Sequence, residues 1–111
     1  RLFQMIQLID DMKKASGTAR NAMAPLLPYM TLEKTKSGTV IFTKGDISDK
    51  MYFIHSGTVS LEEFEVEQST GAVFGEIAVF TSDNRRTCTA VCMNDCEFYT
   101  LDTDTMLQLY Y

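Results

Sequence analysis

The residues best suited to chemistry lie in one stretch, FGEIAVFTSDNRRTCTA, at residues 74–90. An aromatic-Gly-Glu turn opens a short apolar run, a polar loop follows, and two arginines stand before a polar tract. Gly75 lets the backbone approach a ligand closely because it has no Cβ atom, and a helical turn starting there would aim free N–H groups at an anion. Arg86 offers a planar fork of donors that matches two phosphate oxygens. This order of residues predicts an anion site.

Glu76 is the unexpected member of this stretch. Its carboxylate would repel a phosphate, unless it accepts a hydrogen bond from a hydroxyl of the same ligand, as acidic residues do with a ribose 2′-hydroxyl. A phosphate and a ribose hydroxyl together indicate a nucleotide.

The same stretch resembles the phosphate-binding cassette of the cyclic-nucleotide-binding domain family. The family pattern is Phe-Gly-Glu-aliphatic-Ala/Cys-aliphatic, a loop of variable length, and Arg-Ser/Thr-Ala, which stands here at residues 74–79 and 86–88. The glycine-punctuated tracts at residues 38–46 and 49–59 resemble strands of this family. The similarity covers about residues 30–109.

The resemblance implies a regulatory domain that binds cyclic AMP or cyclic GMP and relays binding to flanking helices of a larger protein. It implies that Arg86 pairs with the cyclic phosphate and that the N–H groups of Ile77 and Ala78 cap it. Glu76 would hold the ribose 2′-hydroxyl, and Thr87 would touch phosphate or base. The expected ligand-binding residues are Phe74, Gly75, Glu76, Ile77, Ala78, Arg86 and Thr87.

Arg85 is the secondary candidate for the phosphate. The run that starts at Arg86 fits the family register better, so Arg85 is expected to be a solvated loop charge. Thr87 suits a guanine amino group yet is compatible with adenine, which leaves both cyclic purine nucleotides as candidate ligands. The alternative is a degenerate barrel that acts only as a structural or assembly module. Family members that lose binding usually lose the arginine or the glutamate, and this chain has both.

Composition and charge limit the function classes. The 111 residues predict one domain, and 45% hydrophobic with 23% charged residues excludes low-hydropathy disorder. A net charge of −5 argues against a nucleic-acid or anionic-membrane surface, so we expect no nucleic-acid contact. No apolar run approaches the length of a membrane span. We expect a cytoplasmic domain, or one on the cytoplasmic side of a membrane protein.

The residues that could support enzymatic or metal chemistry are few. His55 is the single histidine, whereas a metal-dependent oxygenase on a β fold needs several, so we predict neither an enzyme nor a metal site. Cys88, Cys92 and Cys96 follow a C-x3-C-x3-C spacing. Residues 87–99 are rich in β-formers and are interpreted as one strand, which would place all three cysteines on one face. They are predicted to be buried, reduced core thiols.

The first thirty residues are predicted to be helical. Residues 2–12 carry apolar side chains at i, i+3, i+4 and i+7 spacing, which indicates an amphipathic helix that ends near Gly17. Its apolar face is expected to pack on its own domain, and it could also join copies of the chain into a homo-oligomer. Pro25 and Pro28 indicate a short second helix or turn.

From Met30 onward the apolar residues alternate, and glycines mark the turns. Residues 40–42, 51–55, 58–61 and 64–66 are predicted strands. Short strands with glycine turns predict a mainly β sandwich or barrel, and the resemblance selects a jelly roll, or double-stranded β-helix, with flanking helices. A C-terminal helix is expected to begin within residues 102–105, with a capping box formed by Thr105 and Gln108.

We therefore expect three parts. Residues 1–30 form an N-terminal helical lead, residues 31–102 form the cyclic-nucleotide-binding barrel, and residues 103–111 begin a C-terminal helix. The sequence starts with Arg1, which predicts a fragment of a longer protein with its effector module elsewhere.

Overall fold

The computed structural model describes residues 24–75 and 83–110. Within these ranges the chain is mainly β, with eight strands, two short 3₁₀-helices at Ala24–Tyr29 and Glu62–Phe64, and one α-helix. The strands and helix are β1 (Thr31–Thr35), β2 (Val40–Phe42), β3 (Lys50–Ser56), β4 (Thr58–Leu61), β5 (Val66–Ser69), β6 (Val73–Phe74), β7 (Ala90–Cys92), β8 (Cys96–Asp102) and α1 (Thr103–Tyr110).

The strands form two four-stranded antiparallel sheets, in the orders β1-β8-β3-β6 and β2-β7-β4-β5. Neighbours within a sheet are mostly far apart in sequence, because the chain passes repeatedly from one sheet to the other. This confirms the predicted jelly roll and the start of a C-terminal helix. The amphipathic helix predicted at residues 2–12 lies outside the described residues.

An aromatic cluster fills the space between the sheets. The rings of Tyr52 and Phe74 stack with centroids 4.9 Å apart, and Phe98 meets both of them edge-on. Phe42 approaches from the other sheet, 5.9 Å from Tyr52 and 6.0 Å from Phe74. Each such pair contributes about 0.5–1.5 kcal/mol beyond simple burial. The cluster holds β2, β3, β6 and β8 together directly beneath the end of β6, where the predicted cassette begins.

Two strand predictions need correction. The strand predicted at residues 64–66 is wrong, because Glu62–Phe64 form a 3₁₀ turn and β5 begins only at Val66. Glu65 adopts a left-handed conformation with φ of 51°, and its N–H donates to the Glu62 carbonyl, which closes the turn. The sequence does not predict β1 as a separate strand, because most of its side chains are polar. Its five residues nevertheless pair along β8.

The cysteine tract also differs from the prediction. Residues 87–99 do not form one strand, because β7 ends at Cys92 and β8 begins at Cys96. Two side chains of the intervening turn hold other loops: Asn94 Oδ1 accepts a hydrogen bond from the Thr58 N–H, and Asp95 Oδ1 accepts one from Ser37. The prediction of buried thiols is confirmed for all three cysteines.

The two helical segments that flank the barrel differ in how well they were predicted. The short helix or turn predicted near Pro25 and Pro28 is present as the Ala24–Tyr29 3₁₀-helix, and Leu26 is its buried anchor. The predicted capping box is wrong, because α1 already begins at Thr103. The Thr103 N–H donates to the Asp49 carbonyl at 2.8 Å, so a tertiary contact fixes the start of the helix.

The Cys96 thiol supplies a first test of this packing. Burial raises its pKa to about 11, and neighbouring Cys92 adds to the rise. We expect the ¹³Cβ chemical shift of Cys96 in the folded chain, followed by NMR as a function of pH, to titrate with a midpoint of about 11. In denaturant the same thiol should titrate near its ordinary pKa of about 8.5. Because the folded state holds this proton more tightly, the thiol's contribution to stability should disappear as pH rises across that window. A folded-state midpoint below 9 would contradict the burial of Cys96.

Candidate functional site

Arg85 and Arg86 diverge because their backbone is fixed on both sides. Arg85 forms a β-bridge with Ile47, the Arg86 N–H donates to the Asp46 carbonyl, and the Arg86 carbonyl accepts from Gly45. Adjacent side chains of an extended segment point to opposite faces. Arg86 points inward and is only 4% exposed, whereas Arg85 is exposed and donates from Nη1 to the Gly45 carbonyl.

The Arg86 guanidinium lies between the two sheets. Its Nη1 donates to the Gly75 carbonyl at 2.9 Å, and its Nη2 donates to the Lys50 carbonyl at 2.7 Å. Its Cζ lies 4.1 Å from the centroid of the Phe42 ring, close enough for a cation–π contact. Nε is buried and has no hydrogen-bond partner among the described residues. Two backbone carbonyls and one aromatic face therefore hold the cation, and within residues 24–75 and 83–110 its Nε–H has no acceptor.

The charges around Arg86 leave it a cation. Burial lowers the pKa of Arg86, and the charge of the Asp49 carboxylate acts in the opposite direction. Asp49 Oδ1 lies 3.7 Å from Nη2, but its side chain is 76% exposed, so the ion pair is long and solvent-screened. Burial is also the main cause of a raised pKa for the Tyr52 hydroxyl, so Tyr52 stays neutral beside the cation at ordinary pH.

Phe74 and Gly75 meet Arg86 at the end of β6. Phe74 is a buried member of the aromatic cluster, so the structure gives it a packing role. Gly75 has a φ of 78°, and a Cβ atom there would lie 2.7 Å from Arg86 Nη1 and 3.3 Å from a Tyr52 ring carbon. The sequence suggested a glycine that lets a ligand approach. The structure adds that this glycine makes room for the arginine.

The other predicted site residues have different outcomes. Thr87 is half-buried and directly follows Arg86. Glu76, Ile77 and Ala78 lie outside the described residues. Of the predicted set, the structure thus brings Gly75 and Arg86 into contact and turns Arg85 away from them.

Two contributors to the site escape sequence reasoning. Lys50 acts through its backbone carbonyl, for which no side-chain pattern gives a signal. Phe42 is the last residue of a short apolar strand. A sequence pattern predicts a core residue at such a position whether or not a cation packs on its ring. Only the aromatic character of Phe42 hints at its second role.

An open cleft of about 400 Å³ reaches Arg86 from the side where β1 and β2 form the sheet edges. Its charged lining residues are Arg86 itself, Glu33, Asp46, Asp49 and Lys50. Lys50 Nζ donates to Glu33 Oε1 at 2.8 Å, and this bond is the main reason why the pKa of Lys50 is raised. Lys50 is already paired with Glu33, and the two carboxylates of Asp46 and Asp49 outnumber the one remaining cation, Arg86. The cleft is therefore a poor entrance for an anion.

Other chemistry finds little support. In residues 24–75 and 83–110, no three histidine, cysteine or acidic side chains converge in a way that could hold a metal ion. The ring of His55 packs edge-on against Tyr99 with centroids 5.3 Å apart, which is a structural contact. No helix among the described residues has the length and apolar character needed to cross a membrane.

Gly75→Ala tests the close fit at the end of β6. The new methyl group meets Arg86 Nη1 and adopts a disfavoured positive φ, so we expect a loss of about 2–4 kcal/mol in the free energy of unfolding, measured with urea. The matched control is Gly45→Ala, which has a similar φ of 93° but no atom within 4 Å of its Cβ position. The control should lose only the strain, about 1–2 kcal/mol. Equal losses in both variants would show that Arg86 does not need the space at Gly75.

Comparison with known proteins agrees with this geometry. Residues 32–110 match the family model of the cyclic nucleotide-binding domain. Potassium/sodium hyperpolarization-activated cyclic nucleotide-gated channel 2 of Mus musculus is 31% identical over 105 residues, which are 92% of this chain and 12% of the channel. Channel 4 of Oryctolagus cuniculus is 30% identical over 105 residues, or 92% of this chain and 9% of that channel. The chain thus spans about a tenth of the length of these relatives.

Solved structures share the fold. The regulatory domain of Toxoplasma gondii PKA with cAMP superposes with a TM-score of 0.70 at 21% identity, covering 95% of this chain and 44% of that one. The catabolite activator protein of Thermus thermophilus gives a TM-score of 0.65 at 25% identity, covering 78% of this chain and 44% of that one. The jelly-roll fold, the cassette motif in the sequence and the match to the family model agree, and the chain belongs to the cyclic nucleotide-binding domain family.

Proposed function

We propose that this domain binds a cyclic purine mononucleotide, cyclic AMP or cyclic GMP, and that Arg86 pairs with its cyclic phosphate. The observation that carries the proposal is a buried cation with an N–H donor that no described residue accepts from. A guanidinium has five N–H groups, and the two carbonyls take two of them. The remaining three include Nε, which is buried without a partner among the described residues. A cyclic phosphodiester offers two free oxygens and one negative charge, which suits such a fork.

The phosphate is expected to approach from the cassette side of Arg86. The cleft between β1 and β2, which also reaches Arg86, carries Asp46 and Asp49, whose charges repel an anion. The family pattern instead assigns the ligand contacts to residues of the cassette. There Glu76 would accept the ribose 2′-hydroxyl, the N–H groups of Ile77 and Ala78 would cap the phosphate, and Thr87 would touch phosphate or base.

We further propose that binding is relayed to the flanking helices of a larger protein, with the domain itself not acting as an enzyme. Its parts would be the helical lead at residues 1–30, the barrel at 31–102 and the helix start at 103–111. A contact chain supports the relay. The Lys50 carbonyl holds Arg86, and the carbonyl of the preceding Asp49 holds the first residue of α1. The relatives include gated channels and a regulatory domain, which favours a cytoplasmic module joined to an effector.

A second candidate function is a degenerate barrel used only for assembly. One observation favours it: both terminal nitrogens of Arg86 already have carbonyl partners, so the arginine is partly satisfied without a ligand. The two candidates differ in a single measurable property, which is heat of binding with a cyclic nucleotide.

The decisive experiment is titration calorimetry of the chain with cyclic AMP and cyclic GMP, using Arg86→Ala and Arg85→Ala as a matched pair. We expect Arg86→Ala to weaken binding by about 2 kcal/mol, or about thirtyfold, because it removes a charge-assisted contact. Arg85→Ala should bind within threefold of the parent, because its side chain faces solvent. Thermal melts of both variants check that each remains folded, and Arg86→Lys retains the charge if the alanine variant does not fold. No binding by the parent at millimolar ligand would favour the degenerate barrel.

Glu76 is tested by its preference for ribose over 2′-deoxyribose. We expect Glu76→Gln to lose less affinity than Glu76→Ala, because a carboxamide oxygen can still accept one hydrogen bond. The ratio of affinities for a cyclic nucleotide and its 2′-deoxy analogue should fall in both variants. If the ratio stays at the parent value in both, Glu76 does not contact the ribose.

A further inference from the structure

The Arg86 guanidinium is held by both sheets in different ways. Of its two carbonyl partners, Lys50 begins β3 and Gly75 directly follows β6, and these two strands belong to one sheet. Its aromatic partner, Phe42, belongs to β2 in the other sheet, with its ring centroid 4.1 Å from Cζ. The ring of Tyr52 is more distant, at 5.7 Å. Phe42 is therefore the main contact of the cation with the second sheet, and it is 8% exposed.

An aromatic face stabilises a cation without using its N–H donors. The attraction comes from the ring quadrupole, which acts on the whole guanidinium plane. A carboxylate or a further carbonyl in the place of Phe42 would consume a donor, and a carboxylate would also neutralise the charge. The ring instead restricts the plane of the guanidinium and leaves both the charge and Nε–H available.

We propose that Phe42 is a positioning residue for the ligand phosphate: its ring fixes the Arg86 guanidinium so that the Nε edge faces the bound anion. This inference rests on the proposed nucleotide-binding function and adds a residue from outside the cassette. Phe42 does not touch the ligand in this arrangement. Its effect passes entirely through Arg86.

Asp49 explains why the ring is needed. Its Oδ1 lies 3.7 Å from Arg86 Nη2, just beyond hydrogen-bond distance. Without the ring the guanidinium can tilt about its two carbonyl bonds and bring Nη2 closer to this carboxylate. The cation would then be partly neutralised and its free edge would be misdirected. An aliphatic side chain at position 42 fills the core but does not hold the plane.

The test compares Phe42→Met, Phe42→Leu and Phe42→Tyr with Phe98→Leu as a matched control. Phe98 is fully buried in the same cluster, and its ring contacts Tyr52 and Phe74. Two measurements are made on the full chain. Calorimetry gives the affinity for cyclic AMP and cyclic GMP, and ¹H–¹⁵N spectra without ligand follow the Arg86 Nε–H, assigned with Arg86→Lys. Two aliphatic variants are used so that one folding failure does not stop the test.

We expect Phe42→Met and Phe42→Leu to bind about tenfold more weakly than the parent and to lose the ring-current shift of the Arg86 Nε–H. Phe42→Tyr should retain both properties within threefold in affinity, and Phe98→Leu should bind normally despite its lower stability. In an Arg86→Lys background the substitution Phe42→Leu should have less than a threefold effect. The proposal is overturned if the aliphatic variants bind like the parent, or if Phe98→Leu weakens binding as much as they do.

The two proposals fail in distinguishable ways. If the parent binds no nucleotide while its Arg86 Nε–H shows the ring-current shift, the nucleotide-binding function is wrong and Phe42 only packs the cation. If the parent binds but its Nε–H shows no such shift, the ring does not hold Arg86 and the positioning role is wrong, whatever the affinities of the variants.

Discussion

The arrangement around the cassette depends on one buried cation. An arginine that is 4% exposed requires compensation, because an uncompensated buried charge costs several kcal/mol. Two carbonyls and the face of Phe42 supply part of that compensation. Each partner in turn depends on its local structure. Position 75 must be a glycine to leave room for the guanidinium, the Lys50 carbonyl is placed by the start of β3, and the side chain at the end of β2 must be aromatic. The residues around Arg86 therefore form one unit, in which a change of any member alters the environment of the buried guanidinium.

This unit connects parts of the fold that are far apart in sequence. Lys50 holds Arg86 with its carbonyl, while its side chain holds Glu33 on the edge strand β1. The carbonyl of Asp49, one residue earlier, fixes the start of α1 at Thr103. A two-residue segment thus contacts the cation, an edge strand and the C-terminal helix. A displacement of Arg86 would reach α1 through the backbone carbonyls of residues 49 and 50, and β1 through the side chain of Lys50.

Sequence reasoning worked where a local rule determines the structure. Apolar alternation between glycine turns located β2, β3 and β4, and the family register favoured Arg86 over Arg85 for the inward position. It failed where tertiary contacts decide. Glu65 has a left-handed conformation although it is not a glycine. The turn at Asn94 divides a tract of β-forming residues into two strands. The Asp49 carbonyl fixes the start of α1 two residues before the predicted N-cap. Phe42 illustrates the general difficulty: an apolar residue in a strand gives the same signal whether it contacts carbon or a cation.

The fixed arginine also bears on how a ligand could bind. A guanidinium that swung out to meet a phosphate would leave the Gly75 and Lys50 carbonyls without their donor and expose the face of Phe42. Each lost charge-assisted bond would cost about 1.5–3 kcal/mol, which ligand binding would have to offset. A phosphate that meets the Nε edge leaves both bonds intact and supplies the acceptor that the described residues do not provide. The second route requires the smaller rearrangement. Because the interactions that stabilise the cation also orient its Nε edge, Gly75, the two carbonyls and the Phe42 ring together form a preorganised receptor.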